Sequence, residues 1–386
     1  MSAPSRVLCL NSGSSSLKLA LYDAETRLAS VTVEGIGSDR GRLTTRDDAR
    51  RVRGETSGVF ADTRAALHAA FAALDAAHLF PPDAVGHRVV HGGPDHAAPE
   101  RVTTGLLAAL RALTPFAPLH LPAAIAGIEA ATTRFAGVPQ VVCFDTAFHR
   151  RMPAVSQRLP LPRALWAKGV RRYGFHGLSY EYIVATVGAA TLGRAVIAHL
   201  GNGASMAAVR DGLPIDTTMG FTPTGGFMMG TRSGDLDPGI LVHLLAHEGY
   251  DVAAVERLVD HEAGLLGVSG IGADMKTLLA VRARQPAAAE AIELFCHQLR
   301  KHVGALAAVL GGIDTLVFTG GIGEHAAPVR WEACAALEHL GIRLDPERNA
   351  RDGPVISADG SACTVRVVPT DEDLMLARHT RTVLGS

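Results

Sequence analysis

Two stretches of similar pattern decide the fold: residues 7–23 read VLCLNSGSSSLKLALYD, and residues 196–212 read VIAHLGNGASMAAVRDG. In each stretch an apolar run leads into a turn of small residues, and a second apolar run follows. This is the pattern of a β-hairpin with a tight turn. One copy stands near the start of each half of the chain, which favours an internal duplication into two α/β domains of like topology. Chance similarity of two short glycine turns is the alternative.

The segments around the hairpins alternate between helical and extended patterns. Apolar residues recur at helical spacing in 63–79, 104–113, 122–134, 237–247, 251–262, 286–310, 328–339 and 371–383. Short apolar runs predict strands at 83–91, 138–145, 314–321 and 364–370. Hairpins combined with βα units predict an α/β protein with a mixed sheet. Residues 35–58 are polar and show no clear period, so we expect an irregular hairpin or a surface excursion there.

Composition excludes several classes of protein. The chain has 386 residues, 47% of them hydrophobic, with 37 Lys and Arg against 38 Asp and Glu. The length predicts two or three domains, and the hydrophobic content predicts a globular protein. The nearly equal numbers of positive and negative charges argue against a surface that binds polyanions. No apolar run approaches the ~18 residues that a membrane helix needs. Five dispersed cysteines without CxxC spacing predict reduced thiols and a cytoplasmic location.

The two hairpin turns are candidate phosphate sites. In the first, Asn11–Ser16, the glycine lets a ligand approach the backbone, successive N–H groups can bind an anion, and Lys18 adds a positive charge. The second, 201–205, repeats this pattern as GNGAS. Either turn alone is more typical of an ordinary loop, but the pair favours a polyphosphate held across a presumed cleft. The sequence has no GxxxxGK[ST] motif, so neither turn is a Walker loop.

A third glycine cluster, TGGIGE at 319–324, lies between a predicted strand and a predicted helix. Its glycines would allow a ring or ribose to approach the backbone. Its spacing is GGxG and not GxGxxG, which argues against a dinucleotide site.

Charged and imidazole side chains supply the remaining candidates. Asp145 ends a buried strand, where it could orient a reactant, bind Mg²⁺ or cap a helix. The acidic run 369–373, PTDED, could likewise cap a helix or bind Mg²⁺. Arg88 lies within an apolar strand and needs a carboxylate or phosphate partner. Arg232 lies in a polar glycine loop, and His176 lies between glycines. No His/Cys pair has zinc-ligand spacing.

The motifs VLCLNSGSSSLK, GHRVVHGG, VVCFDTAFH, RRYGFHGLS, HLGNGAS, MGTRSGDLDPG, FTGGIGEH and PTDEDLMLA resemble those of the acetate kinase family. They occur in that family's order from about residue 7 to 383. The resemblance implies a two-domain actin/Hsp70/sugar-kinase-like (ASKHA) α/β fold with a duplicated βββαβα-type core and an interdomain cleft. We divide the chain into domain 1–148, completed by the C-terminal helix 374–386, and domain 149–373.

The activity that the resemblance implies is reversible phosphoryl transfer between ATP and acetate with Mg²⁺ or Mn²⁺, giving ADP and acetyl phosphate by direct in-line transfer. Propionate kinases carry similar motifs, so propionate is the alternative substrate. A non-transferring ATPase switch and a nucleotide sensor are further alternatives. The resemblance also implies a homodimer. The balanced charge and the lack of a long apolar run argue against nucleic acid and membrane as partners.

Residue roles follow by matching motifs. Asp145, His176 and Arg232 are implied to be catalytic, and Asn11 and Glu372 to bind the metal ion. The residues implied to bind acetate, through charge or through a small apolar pocket, are Arg88, Val90, Leu119, His120, Phe175 and Pro223. The residues implied to bind nucleotide and phosphate are Ser14, Ser16, Lys18, His199, Leu200, Gly201, Asn202, Gly203, Asp274, Met275, Lys276, Gly321, Ile322, Gly323, Glu324 and His325.

The sequence departs from the family pattern near the predicted site. Leu121 stands where the family usually has Asn, and Leu178 stands where it usually has Thr. Leu121 follows His120 and Leu178 lies two residues after His176, so the polarity of the substrate pocket can differ from that of other family members. Lys276 and His325 replace a usual Arg and Asn, which leaves the nucleotide preference open.

Overall fold

The structure, a computed structural model, describes residues 4–13, 15–77, 81–118 and 120–385. The chain forms two compact units, which are Met1–Phe148 with Asp371–Ser386, and His149–Thr370. We call them the first and the second unit. The division drawn from the sequence differs at its C-terminal side, where it placed 371–373 in the second domain.

Each unit contains one mixed β-sheet. The strands of the first unit are β1 (Arg6–Ser12), β2 (Ser16–Asp23), β3 (Thr26–Glu34), β4 (Gly41–Asp47), β5 (Val52–Gly58), β6 (Ala84–Val89), β7 (Glu100–Arg101) and β8 (Gln140–Phe144), in the sheet order β5-β4-β3-β2-β1-β6-β8-β7. The strands of the second unit are β9 (Arg194–Leu200), β10 (Ala204–Arg210), β11 (Leu213–Thr217), β12 (Thr315–Thr319) and β13 (Thr364–Val367), in the order β11-β10-β9-β12-β13.

The helices connect and cover these strands. They are α1 (Thr63–Ala76), α2 (Thr104–Ala112), α3 (Leu121–Arg134), α4 (Ala154–Gln157), α5 (Arg163–Ala167), α6 (Gly177–Val187), α7 (Ala189–Leu192), α8 (Pro238–His247), α9 (Val252–Arg257), α10 (Gly264–Ser269), α11 (Met275–Val281), α12 (Pro286–Leu310), α13 (Gly320–His325), α14 (Ala327–Cys334), α15 (Pro346–Ala350) and α16 (Glu372–Gly385). A π-helical turn, Leu258–Glu262, follows α9. Within the described residues, no helix has both the length and the apolar character needed to cross a membrane.

The two sheets share one topology, which confirms the duplication predicted from the hairpins. In the first unit β3-β2-β1 pair antiparallel, and β6 and β8 continue the sheet in parallel with β1. In the second unit β11-β10-β9 pair antiparallel, and β12 and β13 continue in parallel with β9. The turns differ in length, because Ser12 pairs with Leu17 whereas Leu200 pairs with Ala204.

The segment 35–58 is more regular than the sequence indicates. Strands β4 and β5 form an antiparallel ladder at the edge of the first sheet, with one register shift between Thr45 and Arg46. Every residue of β5 is exposed, so the strand has no buried face that would impose an apolar period. The charged residues Arg53 and Glu55 are typical of an edge strand that avoids pairing with other chains.

Apolar faces of the helices form the cores against the sheets. In the first unit Asp62 caps α1 by accepting from the Ala65 N–H at 2.8 Å. The buried face of α1 includes Phe71, which meets Phe135 edge to face at 5.3 Å between ring centres. In the second unit the long helix α12 packs on β9 and β10 through a stripe that includes the fully buried Leu299. Burial of each such side chain contributes about 1.5–3 kcal/mol.

Two buried histidines make the stability of the fold sensitive to acid. Burial lowers the pKa of His87, which contacts Gln140 at 2.7 Å, from 6.5 to about 4. Burial likewise lowers the pKa of His149 to about 4. Between these pH values the unfolded chain binds protons at both histidines that the folded chain does not bind. These two histidines are therefore expected to lower the free energy of unfolding as the pH is lowered from 6.5 to 4, each by up to about 1.4 kcal/mol per pH unit.

Urea unfolding at a series of pH values measures this effect. His87→Gln removes one buried imidazole, so its free energy of unfolding should depend less steeply on pH within this window than that of the wild type. His68→Gln, which replaces an exposed histidine on α1, is the matched control and should keep the wild-type slope. Equal slopes for His87→Gln and the wild type would contradict the prediction.

Candidate active site

Three polar residues of the first unit lie side by side at the end of the sheet. Asn11 on β1 pairs with Lys18 on β2 and with Arg88 on β6. Paired residues of neighbouring strands point to the same face of a sheet. Arg88 donates from Nη1 to Asn11 Oδ1 at 3.0 Å, while the Lys18 side chain is exposed.

Arg88 also forms a two-bond ion pair with Asp145, the residue that follows β8. Nε donates to Oδ1 at 2.9 Å and Nη2 donates to Oδ2 at 2.5 Å, and Asp145 is only 1% exposed. Burial opposes the charge on Arg88, but Asp145 and Glu372 outweigh it and raise the arginine pKa above its ordinary value. These contacts use three of the five guanidinium N–H groups. Asp145 therefore orients Arg88, and the remaining N–H groups of Arg88 can serve an anion.

The acidic residues at the start of α16, Asp371, Glu372 and Asp373, have different surroundings. Asp371 Oδ1 accepts from Tyr22 Oη at 2.7 Å and from the Leu374 N–H at 3.1 Å, so Asp371 caps the helix. Burial, together with the neighbouring carboxylates Asp371 and Glu372, raises the pKa of Asp373 to about 6. Glu372 begins the helix, and its negative charge helps to raise the pKa of Arg88.

In the second unit two histidines stack beside the turn between β9 and β10. His176 precedes α6 with a left-handed backbone (φ 58°), and its ring stacks on that of His199 at 4.3 Å between ring centres. His176 Nδ1 contacts Ser205 Oγ at 2.9 Å, and His199 Nδ1 contacts Ser179 Oγ at 2.8 Å. Each ring is thus fixed through Nδ1 by a serine of the facing element.

His176 and Arg232 converge at the turn glycine Gly203. A Cβ atom at Gly203 would lie 3.3 Å from His176 Nε2 and 3.4 Å from Arg232 Nη1. Arg232 Nη1 also donates to the Pro223 carbonyl at 3.3 Å. Two nitrogen groups therefore point at one small space above a glycine that leaves the space open, which is a suitable arrangement for binding an anion.

The loop that carries Arg232 is held by the π-helical turn and the start of α10. The Ser233 N–H donates to the Val259 carbonyl at 2.9 Å, and the Ala263 N–H donates to the Thr231 carbonyl at 3.1 Å. At Gly264, with φ +62°, a Cβ would lie 2.2 Å from the Met229 carbonyl oxygen. Only glycine fits there, so the close approach fixes the Arg232 loop.

A cavity of about 720 Å³ opens beside this turn within the second unit. Its lining brings together residues of the second turn, of the start of α11 and of the third glycine cluster, three segments that the family resemblance implies to bind nucleotide. The lining residues are Gly201, Asn202, Ala273, Asp274, Met275, Lys276, Leu279, Gly321, Ile322, His325 and Ala326. Sequence reasoning missed Ala273, Leu279 and Ala326, because aliphatic side chains carry no chemical signature of a site.

Hydrogen bonds made by Glu324 and Arg330 hold helix α13, which lines the cavity. Glu324 Oε1 accepts from the Gly320 N–H at 2.9 Å and from the Thr370 N–H at 3.2 Å, so this carboxylate holds its own turn. Arg330 is fully buried and donates to the carbonyls of Gly323 at 2.9 Å and Glu324 at 3.0 Å. Sequence reasoning missed Arg330, which looks like an ordinary helix residue until its burial is known.

The other predicted residues have varied surroundings. Leu119 and Ser14 lie outside the described residues. Val90 is buried, and Phe175 is buried with its carbonyl accepting from His149 Nε2 at 2.9 Å. His120 is half-buried at the start of α3. The Ser16 carbonyl closes the first turn by accepting from the Gly13 N–H at 2.8 Å, and Leu200, the last residue of β9, is buried.

The acetokinase family model matches residues 6–378 of this chain. The chain belongs to the acetokinase family. It is 46% identical to the acetate kinase of Rhodopseudomonas palustris over 97% of both chains, and 42% identical to that of Heliobacterium modesticaldum over 98% of this chain and 99% of the relative. The resemblance drawn from the motifs is confirmed.

Solved structures agree with the family assignment. The acetate kinase of Porphyromonas gingivalis superposes with a TM-score of 0.87 at 37% identity, over 98% of this chain and all of that one. A propionate kinase from Francisella tularensis superposes with a TM-score of 0.90 at 34% identity, over 98% and 99%. The predicted fold class is confirmed. The chain is a kinase of small-molecule substrates with ATP as co-substrate.

The cavity yields a direct test. A Cβ at Gly321, which lines the cavity, would meet no atom within 4 Å. Gly321→Phe should therefore fold normally while its ring fills part of the cavity. We expect ATP to bind at least about 10-fold more weakly in isothermal titration calorimetry, since the ring displaces apolar contacts of the nucleotide.

Gly304→Phe is the matched control, because Gly304 lies on α12 outside the cavity lining and also has no atom within 4 Å of an added Cβ. Its affinity for ATP should equal that of the wild type. Unchanged ATP affinity in Gly321→Phe would exclude this cavity as the nucleotide site.

Proposed function

We propose that this chain catalyses Mg²⁺-dependent, reversible phosphoryl transfer between ATP and acetate, giving ADP and acetyl phosphate. The observation that carries the proposal is the convergence of His176 Nε2 and Arg232 Nη1 above Gly203. Gly201 and Asn202, the residues immediately before it, line the large cavity of the second unit. A nucleotide bound in this cavity would thus have anion-binding groups at its phosphate end.

These residues match the needs of phosphoryl transfer. The transferring group carries its charge on three equatorial oxygens, and catalysis consists mainly of positioning and charge stabilisation. Arg232 supplies a permanent positive charge, and His176 supplies a second nitrogen at the same point. Acetate is already an anion and needs no strong base. Asp145 accordingly acts by holding Arg88 and not by taking a proton, and Arg88 binds the carboxylate of acetate.

The first unit offers suitable oxygen atoms for the metal ion. Mg²⁺ favours one or two protein oxygens together with water and substrate phosphates. Asn11 supplies an amide oxygen and Glu372 a carboxylate, so this donor set fits Mg²⁺ or Mn²⁺. Among the described residues no group of three or more His, Cys, Asp or Glu side chains is arranged to hold a metal ion. When bound, the ion neutralises charge on the nucleotide phosphates.

Acetate is the favoured acyl substrate because the relatives cited above with the higher identity are named acetate kinases. From the matching motifs alone, we propose Val90, Leu119, Phe175 and Pro223 as the apolar residues that bind its methyl group. One additional methylene changes binding by only about 1–3 kcal/mol. Propionate is therefore expected to react more slowly, and it is the alternative main substrate.

Hydroxylamine trapping tests the proposal, because acyl phosphates form hydroxamates that can be measured by colour. With ATP and Mg²⁺ we expect acetate to give the highest kcat/KM, propionate a lower one and butyrate the lowest. Arg232→Ala should lower kcat by about 10²–10³-fold, since it removes a charged donor to the transition state. Acetate-independent ATP hydrolysis without hydroxamate would contradict the proposal and favour an ATPase switch.

Arg351→Ala is the control for charge removal. Arg351 follows α15 with its side chain 78% exposed, and it pairs with Glu347 at 3.0 Å. Loss of an exposed ion pair costs little, so its turnover should stay near that of the wild type. A folded Arg232→Ala protein with the same turnover as this control would overturn the role of Arg232.

We propose further that the protein is a cytoplasmic homodimer that pairs through α8 and α9. All five cysteines are buried and free, in keeping with a reducing compartment. Helix α8 is strongly apolar, yet none of its residues is buried. Val242 is 64% exposed and Val252, the first residue of α9, is 75% exposed. A second copy of the same surface would cover this apolar area in a symmetric pair.

Sedimentation velocity tests the homodimer. Ile240→Glu combined with Val242→Glu places charges on the α8 surface and should shift the protein from dimer to monomer at micromolar concentration. Val155→Glu is the control, because Val155 on α4 is 82% exposed and lies outside this surface. A monomeric wild type, or a dimeric α8 variant, would contradict the proposal.

A further inference from the structure

His176 is linked through its Nδ1 atom to a buried pair of hydroxyl groups. Ser205 on β10 lies with its Oγ 2.9 Å from His176 Nδ1. The Tyr180 hydroxyl, from the first turns of α6, lies 2.5 Å from the same Ser205 Oγ. Both Ser205 and Tyr180 are completely buried. The order of contacts is thus Tyr180, Ser205, His176.

The chemistry of the three groups gives this chain a direction. A phenol, with an ordinary pKa near 10, is a much stronger acid than an aliphatic hydroxyl. In the short contact between them the tyrosine therefore donates to the serine oxygen. Ser205 has one hydrogen, and it is then directed to His176 Nδ1, which must accept it. A neutral imidazole that accepts at Nδ1 carries its own proton at Nε2.

We propose that Tyr180 and Ser205 are positioning residues that hold His176 as the Nε2–H tautomer, so that the neutral ring is a hydrogen-bond donor to the transferring phosphoryl group. Nε2 and Arg232 Nη1 both lie within 3.4 Å of the position that a Cβ at Gly203 would occupy. The opposite tautomer would direct a lone pair at the phosphoryl oxygens and repel them. The catalytic role of this tautomer rests on the proposed function. The assignment of the tautomer itself does not.

The neighbouring histidine has the opposite arrangement and provides an internal comparison. Ser179 Oγ donates to Thr370 Oγ1 at 3.0 Å, so its oxygen is available to accept from His199 Nδ1–H at 2.8 Å. The two stacked rings therefore carry their protons on different nitrogens. Ser179→Ala removes a similar hydroxyl from the same cluster without touching the Tyr180–Ser205 pair.

Nitrogen NMR of the full chain labelled with ¹⁵N-histidine tests the tautomer without any assay of activity. Near pH 8 we expect His176 to show a protonated Nε2 and an unprotonated Nδ1, with the resonances assigned by their loss in His176→Gln. In Ser205→Ala and in Tyr180→Phe the Nε2–H signature should weaken, and in Ser179→Ala it should persist. A wild-type His176 protonated at Nδ1 would overturn the proposal.

Hydroxamate kinetics test the catalytic consequence. Ser205→Ala and Tyr180→Phe should each lower kcat by about 10-fold, less than loss of a whole donor, with KM values for ATP and acetate changed by less than about two-fold. Ser205→Thr keeps the hydroxyl and should restore kcat. Tyr180→Phe removes only the hydroxyl group, so this variant should fold and can test the proposal even if Ser205→Ala does not fold.

The outcomes separate this inference from the proposed function. An Nε2–H signature that depends on Ser205, in a protein that forms no hydroxamate, would support the tautomer while refuting the acetate kinase activity. Normal kcat in folded Ser205→Ala and Tyr180→Phe, with an active wild type, would refute the positioning role alone.

Discussion

The register of the central strands β1 and β9 is the constraint on which the cluster of candidate residues in each unit depends. In the first sheet this register places Asn11 between Lys18 and Arg88. In the second it places His199 between Ser205 and Thr319. A shift of one residue would turn each of these side chains to the opposite face of its sheet. Because the buried faces fix the register, the hydrophobic cores of the two units also determine the chemistry at the strand ends.

Much of this arrangement can be predicted from the sequence, because periodicity and turn composition are local properties. Helix α12 matches its predicted span, and the hairpin pattern of β1–β2 and β9–β10 revealed the duplication. Strand β5 was not predicted as regular, because an edge strand exposed on both faces has no apolar period. Its pairing with β4 is a tertiary property of the sheet.

The sequence names candidate residues where the side chains are chemically distinctive, and it passes over residues whose contacts appear only in the fold. Glycine turns, Arg88 and Asp145 stand out in sequence, since a buried charge requires a partner. Ser205, Tyr180 and Arg330 do not stand out, because their importance comes from contacts with residues remote in sequence or from burial. Glu324 shows the converse case, in which a residue predicted to contact the nucleotide contacts the backbone of its own turn.

The three donors that we propose for the site share one physical design, in which each makes a bond to the protein that leaves another donor group available. Arg88 is bound by Asp145 through two nitrogens, and Arg232 is bound by the Pro223 carbonyl. His176 is bound by Ser205 through Nδ1, which leaves Nε2 available to a ligand. Donors fixed in this way need little reorganisation when charge develops, and this preorganisation is the main source of electrostatic catalysis. The same bonds explain why buried polar groups persist here: each satisfies a side chain that would otherwise destabilise the core, so folding and catalysis favour the same contacts.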